Sequence, residues 1–361
     1  MRLAELDLVH ALIDPDIMPG LGMARWDLLV RQARAAGLLG KVGALALDRG
    51  LAPHLPVPVW HALEAGLAFA DRQALAVHHE LRLLDLALSG LGIPVLVLKG
   101  AAYVGSGHPA AAGRLMSDID ILVPKSSLGQ VEAALMLAGW VSTLRDPYDQ
   151  RYYRQWMHEL PPMTHIRRGT NLDVHHNLLP ETGRIRTQPN KVIEDSLPLP
   201  GLRCLRVPSQ QDLILHSATH LMHEGEWDHG LRDLSDLYSL ITSQLGEEGF
   251  GSALAERARR LNLERPLFYA LIHLQRIFGL KIAGACVAAP GSLIQPLMNG
   301  LLEQGFGSFH ASCRSPLTVF AQFSLFVRSH WLRMPPHLLI PHLLYKAFKK
   351  EKARVEETTA A

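Results

Sequence analysis

The sequence predicts an α/β (α+β) fold: a small mixed sheet in the middle of the chain, helices before it, and an α-helical C-terminal domain after it. Three observations predict this. Residues 1–90 carry Ala- and Leu-rich stretches at helical spacing. Between 94 and 175, short apolar runs with β-branched residues are cut by glycine and proline. From Ser209 onward the spacing is helical to the end. At 361 residues more than one core is usual, and we read domains at 1–90, 91–208 and 209–361.

In chain order, helices are expected over 26–39 and 59–88, parted by the Gly- and Pro-containing stretch 47–58. The run 94–98 reads as a buried strand ending at Lys99-Gly100. A short helix or loop over 101–113 leads to a strand over 118–123, which Pro124 stops. Residues 127–138 are helical in pattern, Gly139 ends them, and 140–144 reads as another strand. Residues 164–167 and 170–175 flank Arg168-Gly169, a two-residue connection whose glycine tolerates positive φ, so a β-hairpin is expected. The polar, Pro-rich stretch 180–210 reads as a linker with a short strand. Helices fill the rest, punctuated by Gly225, by 246–251 and by Gly279, with a loop near 288–316. There is no internal repeat, and the helices are too broken for a long coiled coil.

Lys+Arg 36 against Asp+Glu 34 gives a net charge of +2, without the basic surplus of a dedicated nucleic-acid binder, so a polynucleotide partner is not expected. Cys204, Cys286 and Cys313 are odd in number and far apart, which favours a reducing compartment, with the cytoplasm as the expectation. No 18-residue uncharged apolar run occurs, and the first residues lack the basic-then-apolar pattern of a signal peptide. The segment 331–350, with Leu338, Leu339, Leu343, Leu344 and Phe348 among histidines and lysines, allows peripheral contact with a membrane surface as an amphipathic helix. The leading expectation is that it packs its leucines on its own domain and shows its lysines to water. From about Lys349 the tail is charged enough to be disordered.

The chemistry concentrates at Asp118 and Asp120, two residues apart in an apolar run. A strand alternates its side chains, so both carboxylates point to one face with Cα atoms roughly 6 to 7 Å apart. Like charges so placed are costly unless a cation offsets them, and a hard ion such as Mg²⁺ holding a triphosphate does so. Asp173 and His175 share one face of the expected hairpin, whose strand is a natural neighbour for Asp118 and Asp120. Three carboxylates on adjacent strands suit nucleotidyl transfer, where metal ions clamp the triphosphate and neutralise the in-line transition state. Gly100 lets backbone approach phosphates near a helix start, and Lys99 adds a point charge.

These residues carry a resemblance. The chain resembles the nucleotidyltransferase superfamily with the DNA polymerase β-like palm, and within it a bacterial group of uncharacterised nucleotidyltransferases. The shared elements are Leu98-Lys99-Gly100, then Arg114 with Ser117-Asp118-Ile119-Asp120, then Leu172-Asp173-Val174-His175. The similarity is strong over 90–180 and weak over 210–240. It implies an enzyme dependent on Mg²⁺ (or Mn²⁺), with Asp118, Asp120 and Asp173 as metal carboxylates and Gly100 beside the phosphates of an NTP, most readily ATP. It implies a palm built on a small mixed sheet and a helical second domain closing over the nucleotide. An NMP would pass to a small-molecule acceptor or, second, a protein side chain, and pyrophosphate would leave. Where the wider superfamily carries Gly-Ser this chain has Gly100-Ala101, which removes one hydroxyl contact to phosphate.

The candidate nucleotide-binding residues are Lys99, Gly100, Arg114, Ser117, His175, His220 and Asp236. Arg114 has two readings, a triphosphate contact or a carboxylate partner that fixes its loop. His175 either orients Asp173 or meets substrate, or is a packed or surface histidine. His216 and His220 stack on one helix face, and with His223, Asp233 and Asp236 they form a wall of the cleft, a polar seam between helices, or a zinc site. Two other classes stand beside the transferase: a metal-dependent phosphohydrolase using that cluster, and a non-catalytic nucleotide-binding protein.

Overall fold

Helical periodicity in the first ninety residues takes form as α1 (Asp7–Ile13), α2 (Met23–Ala35), α3 (Leu39–Asp48) and the 32-residue α4 (Val57–Leu88) in the computed structural model, which describes residues 2–144, 146–285, 287, 291 and 294–345. On α4, Leu63, Val77, Leu81, Leu84 and Leu88 recur at helical spacing and face the core. Glycines let α3 approach its neighbours. A Cβ at Gly40 would lie 2.6 Å from the Gly113 carbonyl oxygen and 2.9 Å from that of Gly66, and one at Gly43 would lie 2.8 Å from that of Leu63. That approach fixes the loop before Asp118 against α3.

The central elements follow as β1 (Val95–Val97), α5 (Lys99–Ser106), β2 (Asp118–Leu122), α6 (Leu128–Leu137), β3 (Trp140–Ser142), α7 (Pro147–Trp156), β4 (Met163–His165) and β5 (Asn171–His175). They are completed by α8 (Pro189–Glu194), β6 (Leu197–Pro198) and β7 (Leu205–Val207). Among the described residues, seven strands form one mixed sheet in the order β3-β4-β5-β2-β1-β7-β6. Strand β1, buried at every position, pairs antiparallel with β2 and parallel with β7, and β2 pairs parallel with β5. The mixed sheet flanked by helices is the fold class the sequence predicts.

Three local expectations need correction. The stretch 180–210 is not a linker: it supplies α8, β6 and β7, and β7 enters the sheet beside β1. Its anchor lies far away in sequence, where Oδ1 of Asp85 on α4 accepts the backbone N–H groups of Arg203 and Cys204 at 2.8 Å and of Leu205 at 3.3 Å. The β4–β5 hairpin forms, but its connection spans 166–170 instead of two residues. Arg168 donates back to Glu80 at 2.6 Å and Thr170 Oγ1 donates to the same oxygen at 2.9 Å, so the loop is held open by α4. Residues 294–306, expected in a loop, form a helix in which Met298, Leu302 and Phe306 recur every four residues and are buried. Pro296 sits in its first turn, where no intrahelical N–H is lost.

The C-terminal half comprises α9 (Gln210–His223), α10 (Gly230–Thr242), α11 (Phe250–Leu261), α12 (Glu264–Phe278), α13 (Ile294–Phe306) and α14 (Thr318–Arg333), with further helix over 336–345. His342 stacks on Tyr148 and Tyr152 of α7, with ring centroids 5.8 and 4.3 Å away. Leu338 and Leu339 are half-buried, whereas Leu343 and Leu344 are exposed, so this segment packs only part of its apolar face. Phe348, the charged tail and Cys286 lie outside the described residues. Among the described residues no helix is long and apolar enough to cross a membrane.

Candidate active site

Parallel pairing of β2 with β5 sets Asp118 opposite Asn171 and Asp120 opposite Asp173. Alternation along each strand then turns Asp118, Asp120 and Asp173 to one face, and one carboxylate oxygen from each lies within 4.8 Å of the other two. Three hard oxygen donors at this spacing are a donor set that Mg²⁺ or Mn²⁺ accepts. Lys99 Nζ stands 2.8 Å from Asp120 Oδ1 and offsets part of the negative charge. Burial opposes ionisation of Asp120, but the Lys99 ammonium and a hydrogen bond from His175 outweigh it and hold the carboxyl well below its usual range. Asp173 goes the other way. Burial, then the charges of Asp120 and Glu159, push its carboxyl up to about 7.

A dication entering this triad must therefore displace a proton from Asp173 below neutrality. Its affinity is expected to rise with pH through about 7 and then level off, and to be about tenfold weaker at pH 6 than on the plateau. Calorimetric titration with Mn²⁺ at pH 6, 7 and 8 checks this, and equal affinities would contradict it.

Asp118 and Asp120 line a cleft of about 310 Å³, ligand-sized at the lower end, whose other walls include Lys99, Gly100, Arg114 and His220. Lys99 opens α5 at φ +47°, a left-handed conformation that costs a non-glycine residue roughly 1–2 kcal/mol, and such strain concentrates at functional sites. Leu98, the N-cap of α5, supplies no side-chain acceptor to the first turn. Gly100 is needed for packing, since a Cβ there would lie 2.3 Å from Arg114 Nη1 and 3.0 Å from its guanidinium carbon. Arg114 cannot readily yield. Its Nε donates to Asp236 Oδ2 at 2.6 Å, its Nη1 to the Leu115 carbonyl at 3.0 Å, and its Nη2 lies 3.6 Å from Asp233. Gly100→Ala is thus expected to destabilise the protein by about 1–3 kcal/mol in urea unfolding, as overpacking does, and a loss under about 0.5 kcal/mol would contradict that packing.

Asp236 is buried between Arg114 and Lys41 of α3, whose Nζ is 2.7 Å from Asp236 Oδ1. Burial opposes its ionisation, yet Lys41 and Arg114 hold the carboxyl below its ordinary value. Ser117 Oγ donates to Asp118 Oδ1 at 2.8 Å. His175 bridges two carboxylates, with Nε2 3.0 Å from Asp120 Oδ1 and Nδ1 3.2 Å from Glu159 Oε2. Burial opposes its protonation, but those partners raise its pKa.

In the second cluster, His220 lines the cleft 3.6 Å from Glu224 Oε2, and His223 Nδ1 bonds to the Thr219 carbonyl at 2.9 Å. Burial lowers the pKa of His216 and of His223 to about 3. Among the described residues, the groups able to share one ion are Asp118–Asp120–Asp173 and His158–Glu159–His175, and the 216–236 cluster does not converge in that way. Sequence reasoning missed His158 and Glu159. They follow α7 in a segment with no strand pattern, brought to β5 by a single bridge between Glu159 and His175.

Residues 22–279 match the protein family described as uncharacterised nucleotidyltransferase. No curated protein matches. Among solved structures, that of the antibiotic-resistance factor ANT(2'')-Ia in solution is similar over 53% of this chain and 98% of its own, at 15% identity and a TM-score of 0.30. The family match runs from α2 through α12 and takes in the strands described above, the acidic triad and the cleft: the chain belongs to the uncharacterised nucleotidyltransferase family.

Proposed function

We propose that the protein moves a nucleoside monophosphate from an NTP, ATP foremost, to a nucleophile on a small-molecule acceptor or, second, a protein, with release of pyrophosphate. The observation that supports this most is the meeting of Asp118 and Asp120 with Asp173 across two parallel strands. These three would hold Mg²⁺ (or Mn²⁺), which when bound neutralises phosphate charge and favours deprotonation of the nucleophile. Asp173, opposite Asp120 on the paired strand, would complete the site that activates the acceptor and help take the proton that the attacking group gives up. The uncapped first turn of α5 offers its N–H groups to phosphate oxygens, with Gly100 beside them and Lys99 as a movable ammonium. Arg114 contributes positive charge to the same wall and is oriented by Asp236. Ser117 orients Asp118, His175 orients Asp120, and His220 borders the nucleotide or acceptor.

On this reading 1–90 supports the palm, 91–208 is the palm, and the described residues of 209–361 supply the opposite wall. The net charge of +2 disfavours a polynucleotide acceptor. Free Cys204 and Cys313 suit a reducing compartment, so the cytoplasm is the proposed location. The test is incubation with each labelled NTP, Mg²⁺ or Mn²⁺ and a lysate of metabolites and proteins. Label should reach an acceptor, with pyrophosphate formed, in the wild type but not in Asp118→Asn or Asp173→Asn. Equal labelling by the variants would defeat the proposal.

A further inference from the structure

We propose that His158, Glu159 and His175 form a second metal site, separate from the acidic triad, for a transition-metal dication of the Zn²⁺ class. One ligand atom from each residue lies within 4.8 Å of the other two. The donor set differs in kind from the triad: two imidazoles and one carboxylate favour Zn²⁺ and its neighbours over Mg²⁺, and three protein ligands leave a fourth position open.

The orientation of His175 suits a ligand. Its Nε2 faces Asp120 Oδ1 at 3.0 Å while Nδ1 faces Glu159 Oε2 at 3.2 Å. With one ring proton on Nε2 donated to Asp120, a metal would take the place of the proton between Nδ1 and Glu159, the carboxylate–histidine–metal arrangement of many protein sites. A second observation is independent of this. Nδ1 of His158 is sealed from solvent and has no hydrogen-bond partner, a condition buried nitrogens rarely keep without an unseen ligand, ion or water. The two rings lie close, with centroids 5.2 Å apart.

Backbone holds these ligands in place before any metal arrives. Glu159 pairs with His175 in a bridge, Leu160 N–H donates to the Val174 carbonyl at 2.8 Å, and His176 N–H donates to the His158 carbonyl at 2.8 Å. An ion here would tie the segment after α7 to the end of β5, on the far side of the His175 ring from Asp120.

The test uses the full chain, stripped with a chelator, loaded with ZnCl₂ in excess Mg²⁺, dialysed and assayed for metal by mass spectrometry. One Zn²⁺ per chain is expected for the wild type and for Asp173→Asn. A loss of roughly 10–100-fold in Zn²⁺ affinity is expected for His158→Ala and for Glu159→Gln. Should both variants fail to fold, as circular dichroism will show, Co²⁺ titration of the wild type decides: visible absorption of a four-coordinate, imidazole-bound Co²⁺ is expected. No Zn²⁺ uptake by the wild type, uptake abolished by Asp173→Asn but not by His158→Ala, or a colourless Co²⁺ titration would each overturn the proposal. NMP transfer is a separate readout, so failure here and failure of the transferase reading are distinguishable.

Discussion

Asp118→Asn is expected to lower nucleotidyl transfer by roughly 10³-fold or more and to leave the fold nearly untouched, whereas Asp120→Asn is expected to lose both. A metal carboxylate stabilises charge worth several kcal/mol in the transition state, and 1.36 kcal/mol is a factor of ten. The two residues differ in what else they hold. Asp118 is only half-buried and accepts from Ser117, so its amide leaves little unsatisfied. Asp120 is buried and faces both the Lys99 ammonium and the His175 ring. Neutralising it strands the buried His175 ring and the partly buried Lys99 ammonium, and breaking a buried ion pair from one side costs up to about 3–5 kcal/mol. Transfer rates beside urea unfolding for the two variants check this, and equal stabilities would contradict the role given to Asp120.

Asp236→Ala carries the largest expected effect on stability alone, a loss of about 3–5 kcal/mol in urea unfolding. Its carboxylate receives Lys41 from α3 and Arg114 from the loop before β2, so its removal leaves two cations buried among α3, α10 and that loop. Lys41→Met leaves Asp236 with Arg114 and should cost less. The sign with pH follows. The folded-state carboxyl titrates below its ordinary value, so the stabilisation is complete above the unfolded pKa of about 4 and fades as pH falls through the folded value. The wild type should therefore lose more stability than Asp236→Ala below pH 4. A cost under about 1 kcal/mol for Asp236→Ala at pH 7 would contradict this network.

What could be read from the sequence is what depends on neighbours along the chain. Period-two spacing placed Asp118 and Asp120 on one face, and the hairpin around Arg168-Gly169 put Asp173 on a strand with the same kind of face. The register that sets Asp120 against Asp173 rests on pairing across 53 residues, which no local pattern encodes. For the same reason Lys41 was invisible as a partner of Asp236, being 195 residues away, and Glu159 lay in a segment whose proline-rich surroundings conceal its bridge to β5. The helix α13 escaped because Pro296, Gly300 and Gly305 resemble loop punctuation, although Met298, Leu302 and Phe306 keep helical spacing. The stretch 180–210 escaped because Asp85, not its own residues, anchors the backbone that enters β7.

The most direct measurement is anomalous diffraction from crystals grown at pH 8 with Mn²⁺ and a non-hydrolysable NTP analogue. An Mn²⁺ peak about 2.0–2.3 Å from oxygens of Asp118, Asp120 and Asp173, with phosphates on its other side, is the expected result. Saturating Mn²⁺ that leaves this triad empty, with Lys99 still against Asp120, would contradict a shared cation site on the two parallel strands.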